Sequence, residues 1–240
     1  MLEIWLASTD AFKKNKYEEV ALLNILSPEE QDRYQRYRYN KEKQLHLISH
    51  YMKRIILSRH HPIIDADQWA FKNGPYGKPS IADCHNIKDL HFNISHSGHL
   101  AALAVSLGRP CGIDIECERN SINHLELARR FFHHDEYIDI EKRGKQYFYK
   151  YWTAKEAFIK LTGKGLNTPL DSFKAYTSHG DTVSIETLDD QIENDVGMWY
   201  RQLPNDYHLA YATYSTGIRP HPKIRWFDGF ERHTKQASFQ

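Results

Sequence analysis

The segment from Leu90 to Cys117 constrains this chain most, because it reads as three strands in quick succession. Leu90-His91-Phe92-Asn93-Ile94-Ser95 alternates apolar and polar positions, the period of a half-buried strand. Ser95-His96-Ser97-Gly98-His99 is polar and reads as a turn. Leu100 to Leu107 is small and apolar, a buried strand. Gly108-Arg109-Pro110 then turns the chain into Cys111-Gly112-Ile113-Asp114-Ile115-Glu116-Cys117. Residues i and i+2 of a strand share a face, so Asp114 and Glu116 project together from an otherwise apolar segment. Side by side they repel unless a cation or a proton neutralises them.

Helical patterns flank this block. Residues 1–7 read as a first strand. Ser27-Pro28-Glu29-Glu30 is a helix start, with a capping Ser, Pro at the first helical position and acid in the first turn. The helix it opens carries Arg33, Arg36, Arg38, Lys41 and Lys43. The next helical stretch, 44–59, aligns Leu45, Ile48, Met52, Ile55 and Ile56 on one face, and His61-Pro62 ends it. Residues 71–79 form a loop dense in Gly and Pro. The rest of the chain mirrors this outline: helices over 125–132 and 148–161, a breaker loop at Gly163-Lys164-Gly165-Leu166, and strands near 173–177, 183–187, 197–203 and 208–215. His99-Leu100-Ala101 with Ser106 matches His208-Leu209-Ala210 with Ser215 at the same spacing. The expected organisation is two halves, 1–108 and 109–217, and a tail, 218–240, as a surface wrap or frayed end.

Composition enters as a set of exclusions. Lys plus Arg is 32 and Asp plus Glu is 31, so the formal charge of +1 argues against a chain built to coat nucleic acid or an anionic membrane. No stretch approaches the roughly 18 apolar residues of a transmembrane helix. The N-terminus lacks the basic and small-residue features of a secretory signal. Cys84, Cys111 and Cys117 are odd in number, with no Cys-x-x-Cys pair, which suits a reduced cytoplasmic protein without structural zinc.

Four groups could carry chemistry. Asp114 and Glu116 are hard oxygen ligands of the kind Mg²⁺ accepts, although the ordinary reading of Asp-x-Glu is the solvated face of an edge strand. In Trp152-Thr153-Ala154-Lys155-Glu156-Ala157-Phe158-Ile159-Lys160, Glu156 and Lys160 stand four apart on one helical face, which alone is an ordinary exposed ion pair. Ser95-His96-Ser97 offers hydroxyl and imidazole donors to a phosphate, or simply a satisfied loop, and no nucleophile elbow accompanies it. Gly77-Lys78-Pro79 pairs a fixed backbone with a cation. Gly163-Lys164-Gly165 lacks the spacing of a Walker-type loop.

Taken together and in this order, Gly77-Lys78-Pro79, Phe92-Asn93-Ile94-Ser95-His96-Ser97, Gly112-Ile113-Asp114-Ile115-Glu116, Trp152-Thr153-Ala154-Lys155-Glu156-Ala157 and Gly163-Lys164-Gly165-Leu166 resemble the 4′-phosphopantetheinyl transferases, in their long, surfactin-synthetase-activating type. The resemblance covers residues 1–215. It implies an α+β fold of two similar halves related by a pseudo-two-fold axis, monomeric, with coenzyme A in the cleft between them. It implies Mg²⁺-dependent transfer of phosphopantetheine from coenzyme A to a serine of an apo acyl- or peptidyl-carrier protein, releasing adenosine 3′,5′-bisphosphate. Asp114, Glu116 and Glu156 match the family's Mg²⁺ ligands, and Glu156 also matches the proposed general base. Lys160 matches a pyrophosphate contact, and Lys155 is the other lysine of that block. Lys78 and Pro79 match contacts to the adenine end of coenzyme A. Ser95 and His96 match contacts near its phosphates, with His96 at the 3′-phosphate. Arg33 would add charge there. The chain departs from the family at Glu30, where a lysine is expected, and at His46. Residues around Phe131-Phe132 and 163–167 are candidates for the carrier surface. A coenzyme A or carrier-binding module without turnover, and a different Mg²⁺-dependent phosphotransferase, are the alternatives in other classes.

Overall fold

The computed structural model, which describes residues 1–14, 19–177, 181–187, 196–214 and 222–228, gathers its strands into two main sheets and two small hairpins. The elements run β1 (Leu2–Ser8), α1 (Thr9–Lys14), α2 (Glu19–Leu23), α3 (Pro28–Arg36), α4 (Asn40–His60), β2 (Phe71–Asn73), β3 (Pro79–Ile81), β4 (Leu90–Ser97) and β5 (Leu100–Leu107). They continue β6 (Cys111–Cys117), α5 (His124–Phe131), α6 (His134–Arg143), α7 (Lys145–Thr162), β7 (Phe173–Thr177), β8 (Val183–Thr187), β9 (Val196–Leu203), β10 (Tyr207–Tyr214) and β11 (Ile224–Trp226). The fold is α+β, as expected.

One sheet has the order β11-β1-β5-β4 and the other β6-β10-β9. Apart from β11, the order is the same in both: the first strand pairs with the last, and the last with the one before it. All of these pairs are antiparallel. In each set a long helix is followed by a small hairpin, β2-β3 or β7-β8. The two strands that share the His-Leu-Ala match, β5 and β10, are both the middle strand of these sets. Ser215 lies outside the described residues.

Residues on successive positions of one strand go to different cores, as the pleat requires. Ala101, Leu103 and Val105 of β5 pack under α4 with Ile48, Met52 and Ile56. Ala102 and Ala104 face inward, where they meet Ile113 and Ile115 of β6 and Leu209 and Tyr211 of β10. Ala210 and Ala212 of β10 turn the other way and pack under α7 with Ala154, Phe158 and Leu161. The order of layers is therefore helix, sheet, sheet, helix, and the small apolar strands allow both faces to be covered.

Several boundaries differ from the sequence reading. Ser95, His96 and Ser97 do not turn; they pair with Ala102, Ala101 and Leu100 inside β4, and the turn narrows to Gly98 and His99. Gly98 has φ +59°, and a Cβ there would meet the Tyr207 hydroxyl at 2.2 Å. The polarity of this segment marks its partners rather than a loop. The basic helix also stops early: Tyr37 is extended, Arg38 falls in the break, and Lys41 and Lys43 begin α4. The breaker-rich stretch 71–79 holds a two-stranded hairpin. The short helices α1 and α2 and the charged helix α6 are additions. In the tail, β11 runs parallel to β1, with Ile4 beside Ile224, and Phe227 is buried against Tyr51. Residues 215–221 and 229–240 lie outside the described residues. Among the described residues no helix is long and apolar enough to cross a membrane.

Candidate functional site

The two sheets meet edge to edge through side chains. β4 ends one sheet and β6 ends the other. Asn93, Ser95 and Ser97 alternate along β4 and therefore share a face. The Ile113 amide donates to Asn93 Oδ1 at 2.8 Å, the Ile115 amide to Ser95 Oγ at 3.4 Å and the Cys117 amide to Ser97 Oγ at 3.1 Å. The constant offset means that β4 and β6 run parallel, joined by rungs of side chain instead of a backbone ladder. These rungs satisfy edge amides that would otherwise be buried unpaired.

Gly112 explains how a helix reaches this seam. A Cβ at Gly112 would lie 2.1 Å from the Ala157 carbonyl oxygen and 2.4 Å from the Leu161 nitrogen. Only glycine lets the backbone of α7 come this close to β6. Asp114 and Glu116 follow Gly112 on the same face of β6, and α7 presents Glu156 and Lys160, one turn apart, beside them. Lys160 Nζ lies 2.6 Å from Asp114 Oδ1 and 3.0 Å from Ser95 Oγ. Ser95 Oγ donates to Asp114 Oδ1 at 2.8 Å, and Ser97 Oγ donates to Glu116 Oε2 at 2.9 Å.

Three carboxylates stand near one ammonium here, and two of them, Glu116 and Glu156, are raised. Burial, with the Asp114 charge next, pushes the Glu116 carboxyl up to about 7. The same two causes raise Glu156. Asp114 Oδ2 is buried and has no hydrogen-bond partner. Among the described residues no three His, Cys, Asp or Glu side chains stand as a ready-made metal-binding group. The donor chemistry nevertheless fits a hard divalent cation: all oxygen, under-neutralised, with one buried oxygen unpaired.

These side chains line a cavity of about 930 Å³ that reaches α3 and α4 and continues into a second of about 530 Å³ bounded by Tyr76, Gly163 and Gly165. Ile94, Pro79, Glu156 and Lys160 border both. Of the other expected residues, Arg33, Ser95 and His96 also line the larger cavity. Burial, then the Lys160 charge, lowers the His96 imidazole.

Two lysines are held elsewhere. Lys155 is fully buried against Glu136 at 2.9 Å and donates to the carbonyls of Leu170 and Phe173. It stands about 100° around the helix from Glu156, which turns it toward α6 instead of the cleft. Its placement is that of a structural anchor. Lys78 borders the smaller cavity, but its Nζ donates to the Cys111 carbonyl at 2.9 Å and the Leu161 carbonyl at 3.1 Å. It ties the β2-β3 hairpin to the start of β6 and the end of α7.

Glu30, the departure noted in the sequence, has a structural task. It closes a capping box with Ser27. Its Oε1 accepts from Lys53 Nζ and pairs with His50 Nδ1, both at 2.7 Å, and its Oε2 accepts from Arg54 Nε at 2.7 Å. Burial alone would raise this carboxyl; the His50 hydrogen bond and the Lys53 charge outweigh it and hold Glu30 well below the usual range. Burial lowers Lys53 to about 8 and, with Lys53 adjoining, His50 to about 3. His46 Nε2 lies 2.8 Å from the Glu30 carbonyl oxygen. The Ser-x-x-Glu spacing is the sequence signal for this box. The signal for Ser97 and Asn93 was their period-2 spacing with Ser95.

Comparison with known proteins gives one consistent result. The family described as 4′-phosphopantetheinyl transferase superfamily matches residues 110–212, and the one described as 4′-phosphopantetheinyl transferase, N-terminal, matches 12–108. The 4′-phosphopantetheinyl transferase Sfp of Bacillus subtilis (strain 168) is 38% identical over 171 residues, covering 70% of this chain and 73% of Sfp. A putative 4′-phosphopantetheinyl transferase of Synechocystis is 32% identical over 238 residues, covering 91% of this chain and 94% of the relative. The transferase ffp of Bacillus subtilis is 37% identical over 169 residues, covering 69% and 72%.

Proposed function

The chain belongs to the 4′-phosphopantetheinyl transferase superfamily, and from that premise we propose that it transfers 4′-phosphopantetheine from coenzyme A to a serine hydroxyl of an apo acyl- or peptidyl-carrier protein, releasing adenosine 3′,5′-bisphosphate, with Mg²⁺. The enzyme class is that of its relatives; the donor, target, product and metal are this reading. One observation carries it: Asp114, Glu116 and Glu156 are gathered around a single ammonium in the cleft where the two sheets join.

Asp114, Glu116 and Glu156 would hold Mg²⁺, which when bound neutralises and polarises a pyrophosphate. Lys160 supplies a second positive charge on the same side and orients against Ser95. Glu156, with its carboxyl raised by burial and by Asp114, holds a proton more tightly than an ordinary glutamate and suits removal of the serine proton. Arg33, Ser95 and His96 line the wall on which the phosphates of the donor would lie, and Pro79 borders the path toward its adenine end. Lys78 and Lys155 shape this wall from behind.

The repeated strand order supports halves at 1–108 and 109–217 acting as one monomeric unit. Cys84, Cys111 and Cys117 are free, which supports a reduced, cytoplasmic setting. Phe131, at 37% exposure beside the buried Phe132, is the apolar part of a carrier surface.

The test is intact-protein mass spectrometry. Purified protein, coenzyme A, Mg²⁺ and a panel of apo carrier proteins are mixed, with EDTA and a carrier Ser→Ala as controls. A gain of one phosphopantetheine on the carrier, lost in both controls, is the expected result. No gain on any carrier would overturn the reading.

A further inference from the structure

Ser95 and Ser97 make the same pair of bonds one strand repeat apart. Ser95 Oγ accepts the Ile115 amide and donates to the carboxylate of Asp114. Ser97 Oγ accepts the Cys117 amide and donates to the carboxylate of Glu116. Each hydroxyl thus reads the backbone of β6 and, in the same contact, fixes the side chain one residue earlier. A hydroxyl has one proton to donate; with its lone pair held by the amide, that proton is directed at the carboxylate.

The two serines differ in one respect. Ser95 also meets Lys160 and borders the cavity. Ser97 is buried at 5% exposure, and its two contacts are the Cys117 amide and Glu116. A glutamate has three side-chain torsions, and tying Oε2 to a rigid strand leaves Oε1 a narrow range of directions. We propose that Ser97 is a positioning residue: it crosses from one sheet to the other to orient Glu116, so that the free carboxylate oxygen of Glu116 is aimed at the cation that Asp114 and Glu156 share. This rests on the reading of those three carboxylates as Mg²⁺ ligands. It assigns Ser97 the task that partners of metal-ligating carboxylates perform, whose removal costs about 10–100-fold in metal affinity.

The experiment titrates the full chain with Mn²⁺ in the presence of coenzyme A and no carrier, counting free Mn²⁺ by electron paramagnetic resonance. Ser97→Ala is expected to weaken Mn²⁺ about 10-fold or more. Ser97→Thr, which keeps the hydroxyl, stays near wild type, and the isosteric Ser97→Val behaves as Ser97→Ala. Metal-free binding of coenzyme A is unchanged in all three. The Cys117 amide exchanges faster in Ser97→Ala and Ser97→Val only. On a Glu116→Gln background, Ser97→Ala adds no further loss of Mn²⁺, because it acts through Glu116. Should Ser97→Ala fail to fold, the Thr and Val pair decides. Wild-type Mn²⁺ affinity in Ser97→Val, or a full additional loss on the Glu116→Gln background, overturns the assignment and leaves the transferase reading intact. A wild-type protein that modifies no carrier and binds no Mn²⁺ overturns both.

Discussion

Two polar clusters line the same cavity and are built on opposite principles. Around Glu30, one carboxylate faces Lys53, Arg54 and His50, each at 2.7 Å, and the carboxyl is held below its usual range. Around Lys160, one ammonium faces three carboxylates, Glu116 and Glu156 are pushed above their usual range, and a buried oxygen of Asp114 has no partner. The first cluster is saturated and closes a helix start. The second is under-neutralised and open to the cleft. Unanswered acid, more than the presence of charge, separates the two clusters: every oxygen of the Glu30 carboxylate meets a cation, while Asp114 keeps a buried oxygen without a partner.

The largest expected effect is on the saturated cluster. Glu30→Ala leaves the Lys53 and Arg54 cations buried without their carboxylate and should destabilise the fold by about 3–5 kcal/mol, read by urea denaturation. A loss below about 1 kcal/mol, the range of an exposed pair, would erase the distinction between the two clusters. Next, Asp114→Ala should lower kcat/KM for carrier modification by about 10²-fold or more while the far-UV spectrum and thermal midpoint hold. Normal transfer by that variant would remove the open cluster from the reaction.

Gly112→Ala sharpens the comparison by moving one cluster only. A methyl 2.1 Å from the Ala157 carbonyl oxygen must push α7 off β6, costing about 1–3 kcal/mol and separating Glu156 and Lys160 from Asp114. Activity should fall more than stability, and hydrogen exchange in α4 should be unchanged.

The smallest effect is the pH signature, and the two clusters should show it with opposite sign. Glu30 has a lowered carboxyl, so its contribution is complete above the ordinary glutamate value of 4.5 and is lost as pH falls below it. Glu116 has a raised carboxyl, so its folded form binds a proton that the unfolded chain has released. Its effect on stability is most favourable below 4.5 and is lost as pH rises toward about 7. Thermal midpoints of metal-free protein between pH 4 and 8 should therefore flatten at the acid end in Glu30→Gln and at the neutral end in Glu116→Gln. Parallel curves for both variants would show that the clusters titrate alike.

Much of this was legible before any fold. The small apolar run Leu100–Leu107 and the segment Cys111–Cys117 located two strands, and the carboxylates at 114 and 116 had to share a face because the pleat leaves no other choice. The helical spacing of Glu156 and Lys160 put them on one face of α7. Local periodicity reports such relations because they are set within one element. It misjudged Ser95-His96-Ser97, where polar side chains in a strand serve a neighbouring sheet, and it ended the basic helix too late, because the break at Tyr37 carries no Gly or Pro.

The sequence by itself therefore determined the strands β1 and β4 to β10, the helices α3, α4, α5 and α7, the acid pair, the Glu-Lys face and the family they belong to. Only the tertiary structure decided which charges are answered and which are left open. Glu30 and Glu116 look equally acidic in the chain. One is met by cations one helix away, and the other by the Asp114 carboxylate of its own strand. The same holds for Lys155 and Lys160, five residues apart on one helix, where 3.6 residues per turn sends one to Glu136 in the interior and the other to Asp114 in the cleft. Those partners are distant in sequence, and electrostatic energy depends on distance in space.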